Sequence, residues 1–231
     1  MESIRRRAME IFPSVLLTVL SMVQALALEL LWTRLGDSPY LWEGGWDALL
    51  GWAQVVAVLL GLLEIWLFYI SLVIRMTWLP SAYDSVLPFA IGILEFTMIE
   101  LMGPESLAPW LYTVALLFAL AIWTGHWIAR RARLMPSNWE AFVDVEPATY
   151  RDFLPSAAAA GLLIALGMAL QASGERGILA LVAIAIVIIL IAWQTDQTRR
   201  FWKRSLLAAP ADEGDLAERE SLRPGRDREE G

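Results

Sequence analysis

Two carboxylates stand in sequence that is otherwise apolar. Glu64 is the one charged residue of "LLGLLEIWLFYI" (59–70), and Glu95 lies inside "FAIGILEFTMIE" (89–100), which closes on Glu100. Glu64 comes eleven residues before Arg75, about 16 Å along a helix rising about 1.5 Å per residue. Glu95 comes nine residues after Val86, about 13 Å into a helix that starts from the same side. This places both near the middle of a bilayer, on consecutive antiparallel helices, with no Lys or Arg at similar depth. Two such carboxylates share a proton, bind a cation, or stay protonated. One reading is a cation or proton site. The other is a protonated Glu that hydrogen-bonds between helices and holds them together.

A second pattern lies upstream. Ser14, Thr18, Ser21, Ala25 and Glu29 recur every three to four residues. At about 100° per residue they share one face of a helix, opposite Leu, Val and Met. Small and hydroxyl side chains on one face suit a wet pore wall or close helix packing. Glu29 and Glu100 fall at the outer ends of their helices, near Asp37, Glu43 and Asp47. Such acids either concentrate cations at a pore mouth or reach interfacial water. Ala157, Gly161, Ala165 and Ala169 form a further small-residue face, which reads as packing against helix six or a neighbouring subunit.

Other chemistry finds few residues to use. There is no Cys, hence no disulfide, thiolate or Cys-type metal site. His126, the single histidine, has no acidic or Cys cluster beside it and reads as an interfacial hydrogen-bonding group or a pH sensor. No nucleophile elbow, phosphate-binding loop or paired-His zinc motif occurs. The expectation is a protein that is not an enzyme, with no cofactor and no metal. No basic face for nucleic acid stands apart from the flanks of apolar runs.

These residues require helices of a particular kind. The chain has 231 residues, 58% of them hydrophobic, against about 45–50% in soluble domains. Twelve Trp fit the aromatic enrichment of membrane–water interfaces; Trp32, Tyr40, Trp42, Trp46, Trp110 and Tyr112 read as an outer belt. A spanning helix takes about 20 apolar residues. Six runs qualify, over roughly 12–34, 47–74, 86–102, 107–129, 154–171 and 178–193. The fold class is therefore all-α: residues 1–207 form a six-helix transmembrane domain, helices five and six being a hairpin. The stretch "RRRAMEIFPSVLLTVLSMVQALA" has the outline of a secretory leader. Its apolar run continues through Leu28 to Trp32, which points to a retained span.

Charge orients the spans. Arg5, Arg6, Arg7, Arg75, Arg130, Arg131, Arg133, Arg151, Arg199, Arg200, Lys203 and Arg204 fall on one side, leaving Arg34 and Arg176 on the other. Cytoplasmic loops carry the Lys/Arg excess, so both termini are expected in the cytoplasm. Ser137-Asn138-Trp139-Glu140 reads as the capped start of a short helix on the inner membrane surface. Residues 208–231 are charged and poor in apolar groups, with eight acids and four Arg from Pro210 onward, and read as a disordered cytoplasmic tail. The inner loop and this tail are the places for a protein partner. The Arg-over-Lys, Ala-rich composition fits a bacterial inner membrane.

The layout resembles the six-helix bacterial potassium channels related to the animal endolysosomal potassium and proton channel. The resemblance lies in a basic start running straight into helix one, a polar, Trp-bearing link, "MGPESLAPWLYTVALLFALAIWTGHWIARRA", and a last hairpin ending in "WQTDQTRRF". That family opens helix one with Arg, three residues, then Phe-Ser-Asp. Here Arg7, Phe12 and Ser14 match, with one extra residue before Phe12, Pro13 inserted, and Val15 where Asp would stand. The resemblance implies a homo-oligomer whose helix one lines the pore through Ser14, Thr18 and Ser21; Val15 in place of Asp removes the family's selectivity signature. The leading expectation is an oligomeric cation channel. A membrane subunit that binds a partner without conducting, and a small proton-coupled transporter using Glu64 and Glu95, are the alternatives.

Overall fold

The computed structural model describes residues 2–76, 78, 81–135, 138, 149–174 and 177–206. The expected helix at Ser137–Glu140 and the expected tail from 208 lie outside these residues, apart from Asn138. Six α-helices are described: α1 Glu2–Gly36, α2 Gly45–Arg75, α3 Ala82–Glu100, α4 Leu107–Ala132, α5 Tyr150–Ser173 and α6 Ile178–Leu206. Met1–Thr198 form one compact unit; the residues from Arg199, of which 199–206 continue α6, form another.

The helices outrun the apolar segments that announce them. α1 begins ten residues before Phe12 and passes through Pro13, although its ring leaves the Met9 carbonyl without its usual donor. α6 continues thirteen residues past Trp193, through "QTDQTRRFWKRSL". Hydropathy marks where lipid ends. Backbone bonding continues as long as good helix formers follow.

Five helices, all but α3, are long and apolar enough to cross a bilayer, so the chain is a polytopic membrane protein in contact with lipid. α3 has only 19 residues and carries Asp84, Glu95 and Glu100. It packs most extensively against α1 and α4, with Ile91, Glu95, Met98 and Ile99 turned inward.

Pairwise contacts give the helix directions. On α1 and α3, Gln24 meets Glu95 and Arg34 meets Met102 just past the end of α3. A Cβ on Gly92 would run into Val23. These pairs keep a nearly constant separation in sequence, so α1 and α3 are parallel, and α3 runs beside the apolar part of α1. Glycine at 92 is what lets the two backbones approach. α2 and α6 are parallel for the same reason: Gly61 faces Ile191, and Glu64 faces Thr198. α5 lies antiparallel on α4. Tyr112 there donates to Gln171 Oε1 at 3.0 Å and fills the space where Gly167 lacks a side chain. The face Ala157, Gly161, Ala165, Ala169 is exposed, so α5 packs on α4 through Ala159, Leu163, Gly167 and Leu170 instead.

Trp110 departs from the expected aromatic belt. Trp32, Trp42 and Trp46 are exposed, but Trp110 is fully buried. Leu107, Trp110, Leu111 and Val114 repeat at three and four residues and make the buried face of α4, which turns the indole inward.

Candidate functional site

Glu95 is completely buried, and its one donor among the described residues comes from α1. Gln24 Nε2 donates to Glu95 Oε1 at 3.3 Å and to the Leu62 carbonyl at 2.8 Å. A single amide thereby ties α1 to both α2 and α3. Glu95 Oε2 has no donor among the described residues.

Glu64 is held elsewhere. Thr198 Oγ1 on α6 donates to Glu64 Oε1 at 2.7 Å. Glu64 is 8% exposed, and its Oε2 has no donor among the described residues. The two carboxylates therefore have separate hydrogen-bond partners, one supplied by α1 and the other by α6. Glu64 also borders a cavity of about 270 Å³ between α2, α4 and α6, to which Ile91 and Met98 of α3 and Ser156 of α5 add lining. Trp110, whose indole N–H is buried with no acceptor among the described residues, lines the same cavity. Glu95 does not line it.

The α1 stripe faces the other way. Ser14, Thr18, Ser21, Ala25 and Glu29 are all exposed on the outside of the single bundle. Leu16, Leu20, Val23, Ala27 and Leu31 form the buried face. Each hydroxyl gives its proton to its own helix: Ser14 to the Ile11 carbonyl at 2.7 Å, Thr18 to Ser14 at 2.9 Å, and Ser21 to Leu17 at 2.9 Å. The outward surface of each is then an oxygen with free lone pairs. Glu29 and Glu100 are both exposed at helix ends.

Two polar clusters close the ends of the bundle. At one end, Asp84 Oδ2 accepts from the Ser81 backbone N–H at 2.8 Å and from Arg131 Nη1 at 2.9 Å, while Arg131 Nη1 also reaches Ser81 Oγ at 2.8 Å. The Arg131 guanidinium lies 5.9 Å from the centre of the Trp127 ring, within cation–π range. At the other end, Gln54 is fully buried and accepts the Gly103 N–H at 2.9 Å, and Arg34 Nη2 donates to the Met102 carbonyl at 3.3 Å. Among the described residues, no three His, Cys, Asp or Glu side chains cluster as metal ligands would.

Gln24, Gln54, Thr198 and the Asp84–Arg131 pair were not singled out from sequence. Gln24 and Gln54 carried a signal, each being a lone amide in an apolar run. So did Ser81-Ala82-Tyr83-Asp84 after a proline, a start with an acid in the first turn. Thr198 carried none, because it lies beyond the expected end of helix six.

Compared with known proteins, the chain matches no family model, no curated sequence and no solved structure.

Proposed function

We propose that the chain is a six-span inner-membrane protein of a bacterium that assembles as a homo-oligomeric cation channel, with α1 of each copy on the pore axis. The observation that carries this is the outward line of Ser14, Thr18, Ser21, Ala25 and Glu29. Hydroxyls whose protons are spent on their own backbone offer only lone pairs to whatever faces them. Lone pairs solvate cations and leave anions without donors. Glu29 at the outer end concentrates cations. Facing lipid, this line gains nothing; facing its own copies around an axis, it is wetted. The similarity of the layout to the six-helix bacterial potassium channels supports the same reading.

The proposal of six spans is supported by α3 running parallel to α1 beside its apolar part. An even number of crossings then puts both termini on the Arg-rich side, the cytoplasm. The test is cation flux into vesicles containing the purified protein. Wild type conducts. Ser21→Leu, which dries the wall, abolishes flux, and Glu29→Gln lowers it mainly at low salt, where screening is weak. Absence of wild-type flux favours a non-conducting, partner-binding subunit.

Glu64 and Glu95 each keep one oxygen with no donor among the described residues, which favours a second reading, a proton-coupled transporter. Normal flux in Ser21→Leu combined with loss in Glu64→Gln or Glu95→Gln would select it.

A further inference from the structure

The cavity beside Glu64 has a shape and a chemistry of its own. Its lining on α2 runs from Ala57 through Glu64 to Tyr69, and on α4 from Trp110 to Gly125. The twelve steps from Ala57 to Tyr69 and the fifteen from Trp110 to Gly125 correspond to about 18 and 22 Å along the helix axes. A volume of about 270 Å³ drawn out over that length is a narrow slot. Ligand pockets for compact molecules run to about 300–1,000 Å³; this one has the proportions of a single extended chain. Its walls are mostly apolar or aromatic, with Phe68, Tyr69, Trp110 and Phe118 presenting rings and Thr124, Ser156 and Gln194 adding neutral polar groups.

One acid interrupts those walls. Glu64 is more than nine-tenths buried, Thr198 donates to one of its two oxygens, the other has no donor among the described residues, and no Lys or Arg among them lines the cavity. A carboxylate in such surroundings is completed by a cation that brings its own donors. Aromatic faces around it favour the same charge. From Glu64 to Ala57 is seven residues of α2, about 10 Å, which is the length of an alkyl chain of roughly eight carbons.

We propose that this slot binds a single-chain alkylammonium, the ammonium group at Glu64 and the chain extended along α2 and α4 toward Trp110. The site is separate from the outward face of α1, and its test is a binding measurement that does not depend on conduction.

The experiment uses the full chain in nanodiscs of phosphatidylglycerol, a lipid without an ammonium group, with empty discs subtracted. Butyl-, hexyl-, octyl- and decylammonium are titrated beside the neutral alcohols of equal length. The expected result for wild type is affinity rising about fourfold per methylene up to octyl and levelling off at decyl. Glu64→Gln keeps an acceptor for Thr198, so the bundle is retained; it lowers alkylammonium affinity at least tenfold and leaves the alcohols unchanged. Ala121→Leu, which fills cavity space without touching the carboxylate, weakens both series. Glu95→Gln, outside the cavity, changes neither. Four results overturn the proposal: no hexylammonium binding above empty discs, equal affinity in Glu64→Gln, a loss in Glu95→Gln as large as in Glu64→Gln, or a gain that continues undiminished from octyl to decyl. A fifth result would also overturn it: displacement of hexylammonium by phosphatidylethanolamine in the disc would make the occupant a lipid headgroup, and the proposal of a single-chain amine would fall.

Discussion

Gln24 holds two helices with one nitrogen, and its value depends on what surrounds the acceptor. Glu95 is wholly buried and has no other donor among the described residues. Removing the amide leaves the carboxyl group unsatisfied, whereas removing both groups leaves apolar packing. Gln24→Leu is therefore expected to lower unfolding stability in detergent by about 1–2 kcal/mol. The double variant Gln24→Leu, Glu95→Leu should lose less than Gln24→Leu alone. A double variant that is the weaker of the two would show that Glu95 has a further partner. At this scale the sequence is half legible. A lone acid in an apolar run is visible by its rarity, which is how Glu64, Glu95 and Glu100 were found. Which side chain meets it depends on helix rotation and on contacts across 71 and 134 residues, and no local pattern encodes those.

Among the elements, α3 depends most on its neighbours. Its first turn is fixed by Asp84, which accepts from the Ser81 backbone and from Arg131 at the far end of α4. The Asp84 side chain is 5% exposed and that of Arg131 21%, so the pair is shielded enough that losing one partner strands the other. Asp84→Ala should lower stability by about 3 kcal/mol. The Arg131→Met, Asp84→Ala double variant should fall well short of the summed single losses when unfolding is followed by tryptophan fluorescence. Additive losses would mean that the ion pair contributes nothing beyond the cap. Element order and type are legible from hydropathy, because apolar runs near 20 residues have few alternatives in a membrane. Element ends are not: α1 and α6 continue into charged sequence that costs nothing to keep helical in water. The inward turn of Trp110 was legible from the spacing of Leu107, Leu111 and Val114 around it, a signal that outweighs the general preference of Trp for interfaces.

For the whole molecule, the alternation of helix direction makes the topology a concrete expectation. Tags at Gly44, Glu105 and Gly174 should be reachable from outside intact cells, and tags at Ser137 and at the C-terminus should be protected. A protected Gly44 together with a reachable Ser137 would reverse the molecule, and a protected Glu105 would remove α3 from the membrane. The shortness and acidity of α3 also carry a consequence for how the protein is made. A segment with three carboxylates in 19 residues has little tendency to leave an insertion channel for lipid by itself. Its cation, Arg131, is synthesised about thirty residues after α3 ends. On the proposed six-span topology, insertion of α3 becomes a matter of timing: it should wait until α4 has emerged, and the two should enter as a hairpin beside an α1 already in place. A chain ended at Gly103 should leave its new C-terminus in the cytoplasm, whereas a tag at Glu105 of the full chain should be reachable from outside.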